Sequence, residues 1–358
     1  MVDVPADRHS PVRPMLAGDI VEGRTVAGFA WVSPGVGVRT THVDDRLLFE
    51  GDEALAAPPR RPVPQTVDGA AAGAPMPPAD LPHALVRPAA SVDPAIELRA
   101  GALLDLPGTP WQPVARALFA AVHGTGHRMW LAGGTARDIV AGVPGRDVRD
   151  LDLSGTVPAG RFTDIAYQSL RASQMSEYRM TVTPDSLVCA VVPPRSKVRL
   201  FEYRGLKRDG FRFPAVGSAL AEDARQRDFT FNTLLYDVMD HVVLDPGGHG
   251  LDHLLGERRL FQPLATAPDA PGAAHLVLRA MKFALRWDGH RACDLTPLRT
   301  WIGTLPPDLC RRLPAKTVQK LRETCKRDVD APAERQLAFA ATMPQPAREL
   351  LELLIGRG

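Results

Sequence analysis

Two short stretches decide the fold of this chain: Leu131-Ala132-Gly133-Gly134-Thr135-Ala136-Arg137-Asp138 and Gly145-Arg146-Asp147-Val148-Arg149-Asp150-Leu151-Asp152. The apolar residues 129–132 predict a short strand that runs directly into Gly133 and Gly134, where a helix is expected to begin. Glycines at such a junction let the backbone pass close to a triphosphate and present N–H groups at a helix N-terminus, where anions are favoured. A Gly-Gly pair alone is weak evidence, so the second stretch matters.

Two acidic residues in that second stretch, Asp150 and Asp152, are separated by one residue on a predicted strand. Alternate residues of a strand project from the same face, so their carboxylates can share divalent cations, as two-metal phosphoryl transfer requires. An isolated Asp-x-Asp is more often a surface strand end with two solvated acids. The order and spacing of the glycines and the acids together favour the metal site.

Further along the chain, a second polar stretch runs Glu222-Asp223-Ala224-Arg225-Gln226-Arg227-Asp228-Phe229-Thr230-Phe231-Asn232. With the first two stretches it resembles the head domain shared by CCA-adding tRNA nucleotidyltransferases and bacterial poly(A) polymerases, of the DNA polymerase beta-like nucleotidyltransferase superfamily. The family order of GG, RD, G and DxD matches Gly133, Gly134, Arg137, Asp138, Gly145, Asp150 and Asp152. The later stretch resembles the second family motif, usually RRDFTxNA, and the resemblance covers residues 125–287.

This resemblance implies an α+β fold: a nucleotidyltransferase palm with a mixed β-sheet and flanking helices, followed by a short all-helical C-terminal region. It also implies that Asp150 and Asp152 hold two Mg²⁺ ions and that a nucleoside triphosphate is the substrate. Glu202, on a strand predicted at 198–203, is the candidate third catalytic carboxylate. The alternative for Glu202 is an ordinary glutamate at a strand edge.

In the second motif, the resemblance implies that Arg227, Asp228 and Asn232 contact the ribose and phosphates of the incoming NTP. A guanidinium pairs with phosphate through two N–H groups, and a carboxylate accepts from a ribose hydroxyl. The alternative is a structural ion pair between Arg227 and Asp228. We expect Arg227 and the acidic cluster around Asp150 to face one cleft.

The remaining nucleotide contacts implied by the family are Gly133, Gly134, Arg137 and Arg279. For Arg137 the alternative is a structural role with Asp138, in which the two side chains hold the phosphate loop. Arg279 falls with Lys282 and Arg286 on one side of a helix predicted at 275–287. This basic stripe would follow an RNA phosphate backbone, and its alternative is a solvated basic face.

The chain departs from the family at two places. Gln226 precedes Arg227 where the second motif normally has two arginines, which alters one phosphate or ribose contact. The acidic residue and first arginine that recognise the NTP base in the family are replaced by Ala273 and Leu276. The chain beyond Phe283 is also shorter than the neck, body and tail regions with which family members grip a tRNA elbow, so we expect a truncated tRNA-holding architecture.

The composition places few limits on function. Among 358 residues, 43 Lys and Arg balance 41 Asp and Glu, so a polyanion site has to be local. The four cysteines form no CxxC pair and too sparse a set for a disulfide framework, which favours a reducing cytoplasm. The sequence shows no secretion signal and no run long and apolar enough for a membrane anchor. It does not indicate an oligomeric state.

The expected organisation has four parts. Residues 1–57 form a small β-rich segment, and residues 58–95 form a linker rich in proline and alanine. Residues 96–260 form the nucleotidyltransferase head domain, and residues 261–358 a helical, neck-like C-terminal region.

The leading function is metal-dependent transfer of a nucleoside monophosphate from ATP or CTP to an acceptor, for which an RNA 3′ end is what the resemblance implies. The altered base-recognition positions leave a second option, a divergent transferase that acts on a small molecule, peptide or protein. A third option is a non-catalytic RNA-binding descendant of the fold, because a fold does not by itself establish activity.

A prediction about specificity follows from Ala273 and Leu276. A site that hydrogen-bonds the Watson–Crick edge of a base rejects the wrong base, whereas these two side chains offer only apolar contact. His275 and Arg279 are the nearest replacements. We expect that the protein, given CTP, ATP and a tRNA without its terminal C-C-A, does not add these nucleotides in order. Single-nucleotide gel analysis checks this, with intact tRNA as control, and complete self-terminating addition would contradict it.

Overall fold

The computed structural model describes residues 13–15, 20–21, 24–25 and 30–32 by their backbone, and residues 85–356 except 106, 108, 110, 143–149, 158, 183–187, 196–198, 207–219 and 267. Gly145 of the first motif and most of the predicted N-terminal segment and linker lie outside these residues.

The strands are β1 Arg13–Met15, β2 Ile20–Val21, β3 Arg24–Thr25, β4 Ala30–Val32, β5 Val86–Pro88, β6 Met129–Leu131, β7 Leu151–Gly155, β8 Arg179–Val182, β9 Cys189–Val192, β10 Phe201–Gly205, β11 Leu235–Asp237, β12 Val242–Leu244, β13 Arg259–Leu260 and β14 Cys293–Asp294.

The α-helices are α1 Ala89–Val92, α2 Ile96–Asp105, α3 Ala115–Gly124, α4 Gly133–Ala141, α5 Ala159–Ala172, α6 Leu220–Arg225, α7 Gly250–Leu255, α8 Ala270–Trp287, α9 Thr296–Gly303, α10 Ala315–Asp328, α11 Ala333–Ala341 and α12 Gln345–Ile355. Short 3₁₀ helices cover Thr230–Asn232 and Leu309–Arg312.

The chain divides into two compact units. The first contains residues up to Ala224 together with Leu234–Pro246, and the second contains Arg225–Thr233 together with Gly247 onward. Residues 225–232 of the second motif thus belong to the same unit as the C-terminal helices.

The first unit is built on an eight-stranded sheet of order β5-β12-β11-β6-β7-β10-β9-β8. β7 and β10 run parallel, whereas the other neighbouring strands of this sheet pair antiparallel. The mixed sheet and flanking helices confirm the predicted α+β class. β9 and β10 pair antiparallel, with Phe201 opposite Val191.

The edge strand β5 falls inside the stretch that the composition assigned to a linker. Its backbone pairs with β12, with Pro88 opposite Val242. Proline is tolerated at a sheet edge because its missing N–H does not interrupt an inner ladder. β5 has three residues, of which two are exposed, so its sequence shows neither an apolar run nor an alternating pattern.

The centre of the sheet packs around Trp130, which is fully buried with Leu206, Leu220, Leu235 and Leu244. Its indole Nε1 donates to Asp237 Oδ2 at 3.0 Å, so this buried polar atom is satisfied. This core fixes β6, the strand that leads into Gly133 and Gly134.

The second unit contains a cluster of aromatic side chains. Phe229 and Phe231 stack with their ring centroids 5.1 Å apart. Both rings also pack edge-on against Phe261 and Phe283, and Phe231 also against Trp287. Aromatic burial of this kind dominates core energetics. The two phenylalanines therefore anchor the second motif in the core of this unit.

The helix that supplies Phe283 and Trp287 is α8. Its N-terminus is capped by Asp269, whose side chain accepts from the Gly272 N–H at 2.7 Å. Val277, Met281 and Ala284 are buried, as their helical spacing predicts. No helix in the part of the chain that the structure describes has the length and apolar character needed to cross a membrane.

A stability prediction comes from His127, which precedes β6 and is 1% exposed. Burial, assisted by the charge of Arg161, lowers the pKa of His127 from 6.5 to about 4. The unfolded chain therefore binds more protons between these values, and stability is lost as the pH falls from about 6.5 towards 4. The loss attributable to His127 between pH 7 and pH 4.5 is expected to be about 2 kcal/mol.

Urea unfolding of the wild type and His127→Gln at both pH values measures this loss, because glutamine does not titrate. His290→Gln, which removes an exposed imidazole, is the matched control. An equal loss of stability on acidification in wild type and His127→Gln would refute the assignment.

Candidate active site

The junction between β6 and α4 is closed by a carboxylate from the neighbouring strand. The Gly134 N–H donates to Asp152 Oδ2 at 2.8 Å, and Asp152 lies on β7. The residue before the helix is Ala132, which has no side-chain oxygen to cap it. Asp152 therefore supplies the cap from β7, where its negative charge is favoured by the helix dipole.

Both glycines are required by this close approach. Gly133 has φ 48°, in the left-handed region that other residues enter at a cost. A Cβ on either Gly133 or Gly134 would lie 3.0 Å from Asp152 Oδ2. The sequence predicted that this backbone passes close to a triphosphate, which stays a prediction. In the structure, the Gly134 N–H donates to the Asp152 carboxylate.

Thr135, in the first turn of α4, connects the helix to β7 a second time. Its Oγ1 accepts from the Asp152 N–H at 3.0 Å and is 3.5 Å from the carbonyl oxygen of Asp150. Neither sequence motif singles out Thr135. The signal that would have found it is a hydroxyl residue directly after the Gly-Gly pair, since such side chains bond to nearby backbone.

The three predicted catalytic carboxylates occupy adjacent strands. Asp150 lies in the bend just before β7, and Asp152 is the second residue of that strand. In the parallel ladder, Glu202 of β10 is the register partner of Asp152. Residues paired in register project from the same face of a sheet. The sheet therefore places Asp152 and Glu202 side by side.

Within the described residues there is no group of three or more His, Cys, Asp or Glu side chains that could hold a metal ion. Two of the predicted carboxylates make contacts within the protein. The Glu202 carboxylate forms an ion pair with Arg199, and one oxygen of Asp152 accepts from Gly134. The donor set nonetheless fits Mg²⁺ chemically, because Mg²⁺ is bound by a few carboxylates together with substrate phosphates.

Arg137 and Asp138 form a buried pair on α4. The Arg137 Nε donates to Asp138 Oδ1 at 2.9 Å, and Arg137 is 2% exposed. The guanidinium also lies close to the phosphate loop, since a Cβ on Gly134 would be 3.6 Å from Arg137 Nη2. This geometry favours the structural alternative for Arg137 over direct nucleotide contact.

In the second unit, Asp228 binds three groups. Its Oδ1 accepts from Asn232 Nδ2 and from the Phe229 N–H, each at 2.8 Å, and its Oδ2 pairs with Arg279 Nε. Burial raises the pKa of Asp228, but the charge of Arg279 and these hydrogen bonds outweigh that effect and leave the pKa below its usual value. Asp228 is therefore a carboxylate at neutral pH.

Arg279 also lies over the Phe283 ring, with its guanidinium carbon 5.3 Å from the ring centroid. The helix α8 thus joins two predicted nucleotide-binding residues, Asp228 and Arg279, in one ion pair. The ion pair expected from the sequence was between Arg227 and Asp228, whereas the structure pairs Asp228 with Arg279.

The replaced base-recognition positions are turned into the core of the second unit. Ala273 is 1% exposed and Leu276 is 5% exposed. His275, between them, is half-buried, and burial together with the charges of Lys320 and Arg279 lowers its pKa. His275 is thus held neutral at pH 7 and can both donate and accept a hydrogen bond.

The structure groups the predicted site residues into two sets. The first unit carries Gly133, Gly134, Arg137, Asp150, Asp152 and Glu202, and the second carries Arg227, Asp228, Asn232 and Arg279. In the second set, the contacts described above connect Asp228 with Asn232 and Arg279.

A prediction tests the glycine requirement. Gly133→Ala is expected to lower the free energy of unfolding by about 1–2 kcal/mol, the cost of a side chain in the left-handed region. Gly124→Ala is the control, because a Cβ on Gly124 meets nothing within 4 Å. That change is expected to be neutral or stabilising by up to about 1 kcal/mol. Urea unfolding followed by circular dichroism measures both, and equal effects would contradict the assignment.

Comparisons with known proteins agree with this architecture. Residues 129–259 match the poly A polymerase head domain. A structure of a CCA-adding enzyme with CTP is similar at 16% identity and a TM-score of 0.52, covering 75% of this chain and 55% of that chain. A structure of a CCA-adding enzyme with ATP gives 18% identity and a TM-score of 0.51, covering 71% and 55%.

The chain therefore spans about half the length of these structures. No curated protein matches it. Identities at this level show the fold alone, and that fold is the one that the two motifs predict. Residues 129–259 are thus similar to the poly A polymerase head domain, and the chain shares the fold of the CCA-adding enzyme structures.

Proposed function

We propose that this protein is a metal-dependent nucleotidyltransferase, which moves a nucleoside monophosphate from ATP or CTP to an acceptor hydroxyl, with an RNA 3′ end as acceptor. The observation that carries the proposal is the placement of Asp152. Its carboxylate lies beside Glu202 on the neighbouring strand and against the N-terminus of α4. Carboxylates and a phosphate-binding helix end are the two elements that phosphoryl transfer needs in one place.

Asp150 and Asp152 would hold two Mg²⁺ ions, with Glu202 as the third carboxylate. When bound, these ions supply activation of the acceptor hydroxyl and neutralisation of charge on the leaving pyrophosphate. The protein itself contributes orientation: the Asp152 carboxylate is fixed by Gly134, and its backbone N–H by Thr135. Catalysis then rests on positioning and electrostatics, without a covalent enzyme intermediate.

The N-terminus of α4 would bind the triphosphate. The Gly134 N–H already points at an anionic oxygen, that of Asp152, and the left-handed Gly133 gives the backbone the shape that permits this approach. Arg137 pairs with Asp138, and its Nη2 lies 3.6 Å from where a Cβ on Gly134 would be. The role assigned to Arg137 is therefore to position the loop.

In the second motif, Asp228 would accept a hydrogen bond from a ribose hydroxyl. Arg279 and Asn232 hold this carboxylate ionised and in place. Arg227, which is half-buried, would contact phosphate through its guanidinium. These residues would fix the sugar and phosphates of any nucleotide, because neither group differs between ATP and CTP.

A second candidate differs only in the acceptor: a small molecule, a peptide or a protein. The burial of Ala273 and Leu276 favours it, because the positions that recognise the base in the family cannot reach a ligand here. The chemistry of the proposed metal and phosphate site is the same in both cases.

A pair of substitutions at Asp152 tests the function. Asp152→Asn keeps an oxygen that can accept from Gly134 but removes the charge, so transfer is expected to fall at least about 100-fold with little loss of stability. Asp152→Ala also removes the helix cap and is expected to lower stability by a further ~1 kcal/mol. Glu177→Gln, which changes an exposed acid in the same unit, is the control.

Activity is measured with labelled ATP or CTP, Mg²⁺ and either total RNA or a cell extract, and the labelled product identifies the acceptor. Label in RNA supports the first acceptor class, and label in protein or small molecules supports the second. Full transfer by Asp152→Asn would refute the two-metal proposal. Binding of nucleotide without transfer to any acceptor would favour a non-catalytic descendant of the fold.

A further inference from the structure

The second unit contains a cavity of about 640 Å³ that includes none of the predicted site residues. Its walls come from the end of α8 and the loop that follows, from α9 and from α11. Cavities of this size are typical of sites for small molecules.

Three arginines line the cavity, and each is held by one of its nitrogens. Arg291 Nη1 donates to the Leu255 and Gly256 carbonyl oxygens, and Arg299 Nε donates to the Thr342 carbonyl oxygen at 3.1 Å. Arg335 Nη2 pairs with Asp288. These contacts anchor each guanidinium through one of its nitrogens. Arg299 also has an acidic neighbour, because its charge adds to the hydrogen bonds from Thr296 that lower the pKa of Asp294. Each guanidinium carries further N–H groups that can donate to a ligand.

The charge balance of the lining is positive. Three guanidiniums face a single carboxylate, that of Asp288, so the cavity carries two net positive charges. Cys293 does not change this count. Burial raises the pKa of its thiol to about 11, so it remains neutral at pH 7.

The rest of the lining is largely apolar, with Leu285, Leu295, Ala338 and Phe339 among its residues. A track for an RNA backbone needs cations along a groove and gains little from an apolar wall. A concave site that combines apolar side chains with a few converging charges instead favours a small ligand with both an anionic and an organic part.

We propose that this cavity binds a small organic phosphate monoester of mononucleotide size. A phosphate monoester carries between one and two negative charges at pH 7 and three acceptor oxygens, which complement the arginine N–H groups. Its organic part would rest on the apolar wall around Phe339. This site is separate in sequence from the predicted catalytic residues and does not rest on the proposed transferase activity.

The test uses the full chain in EDTA, with AMP as the probe and isothermal titration calorimetry as the measurement. Arg299→Gln and Arg335→Gln are each expected to weaken AMP binding at least about tenfold, because each removes charged hydrogen bonds to the phosphate. Arg348→Gln, on the exposed side of α12 and outside the cavity, is expected to leave binding unchanged. Adenosine, which lacks the phosphate, is expected to bind at least about tenfold more weakly than AMP.

Asp152→Asn separates this inference from the proposed function, since AMP bound at the cavity does not depend on Asp152. Weaker AMP binding in Asp152→Asn with no effect of Arg299→Gln would overturn the cavity proposal. Absence of AMP binding to the wild type at millimolar concentration would also overturn it. The proposal would also be overturned if the wild type bound an RNA oligonucleotide without terminal phosphates but not AMP, and if the arginine variants lost that RNA binding.

Discussion

The hydrogen bond from the Gly134 N–H to the Asp152 carboxylate is the constraint on which the first unit's site depends. It requires two glycines, because a Cβ at either position would crowd the carboxylate oxygen. It also requires β6 and β7 to be neighbours, with the Ala132 N–H donating to the Asp152 carbonyl oxygen at 2.8 Å. The parallel pairing of β10 with β7 then sets Glu202 beside the same residue. This one hydrogen bond thus connects the glycine turn after β6, the order of the strands β6, β7 and β10, and the pair Asp152 and Glu202.

In the second unit, the main constraint is the half-buried carboxylate of Asp228. Asp228 and Asn232 flank two stacked phenylalanines, so the aromatic core fixes where these polar groups emerge. A carboxylate in such a place is costly without a counter-charge, and Arg279 supplies it. In the sequence Asp228-Phe229-Thr230-Phe231-Asn232, the two phenylalanines therefore pack in the core, and the polar side chains that alternate with them bond to other groups.

The sequence allowed much of this to be predicted, and the failures have identifiable physical causes. Apolar spacing located β6 and α8, and motif order located the glycines and acids. Partners distant in the chain were missed, such as Arg279 for Asp228. The spacing of apolar residues indicates which face of a helix is buried, but not which residue of another segment lies against that helix. The strand β5 was missed because it is short and mostly exposed, and therefore lacks an apolar pattern. The sequence shows that Ala273 and Leu276 are apolar. Their burial becomes clear only from the packing of α8.

The burial of these two residues bears on how a base could be selected. Arg279 is occupied by Asp228, and withdrawing it towards a base would leave a half-buried carboxylate without its counter-charge. The charge of Arg279 is therefore poorly suited to recognising a nucleotide base on this part of α8. His275 is the half-buried polar side chain that remains there, and its lowered pKa keeps it neutral, with one donor and one acceptor. A neutral ring of this kind can bond to either a purine or a pyrimidine edge. Under the proposed function, α8 itself would therefore enforce a preference between bases only weakly.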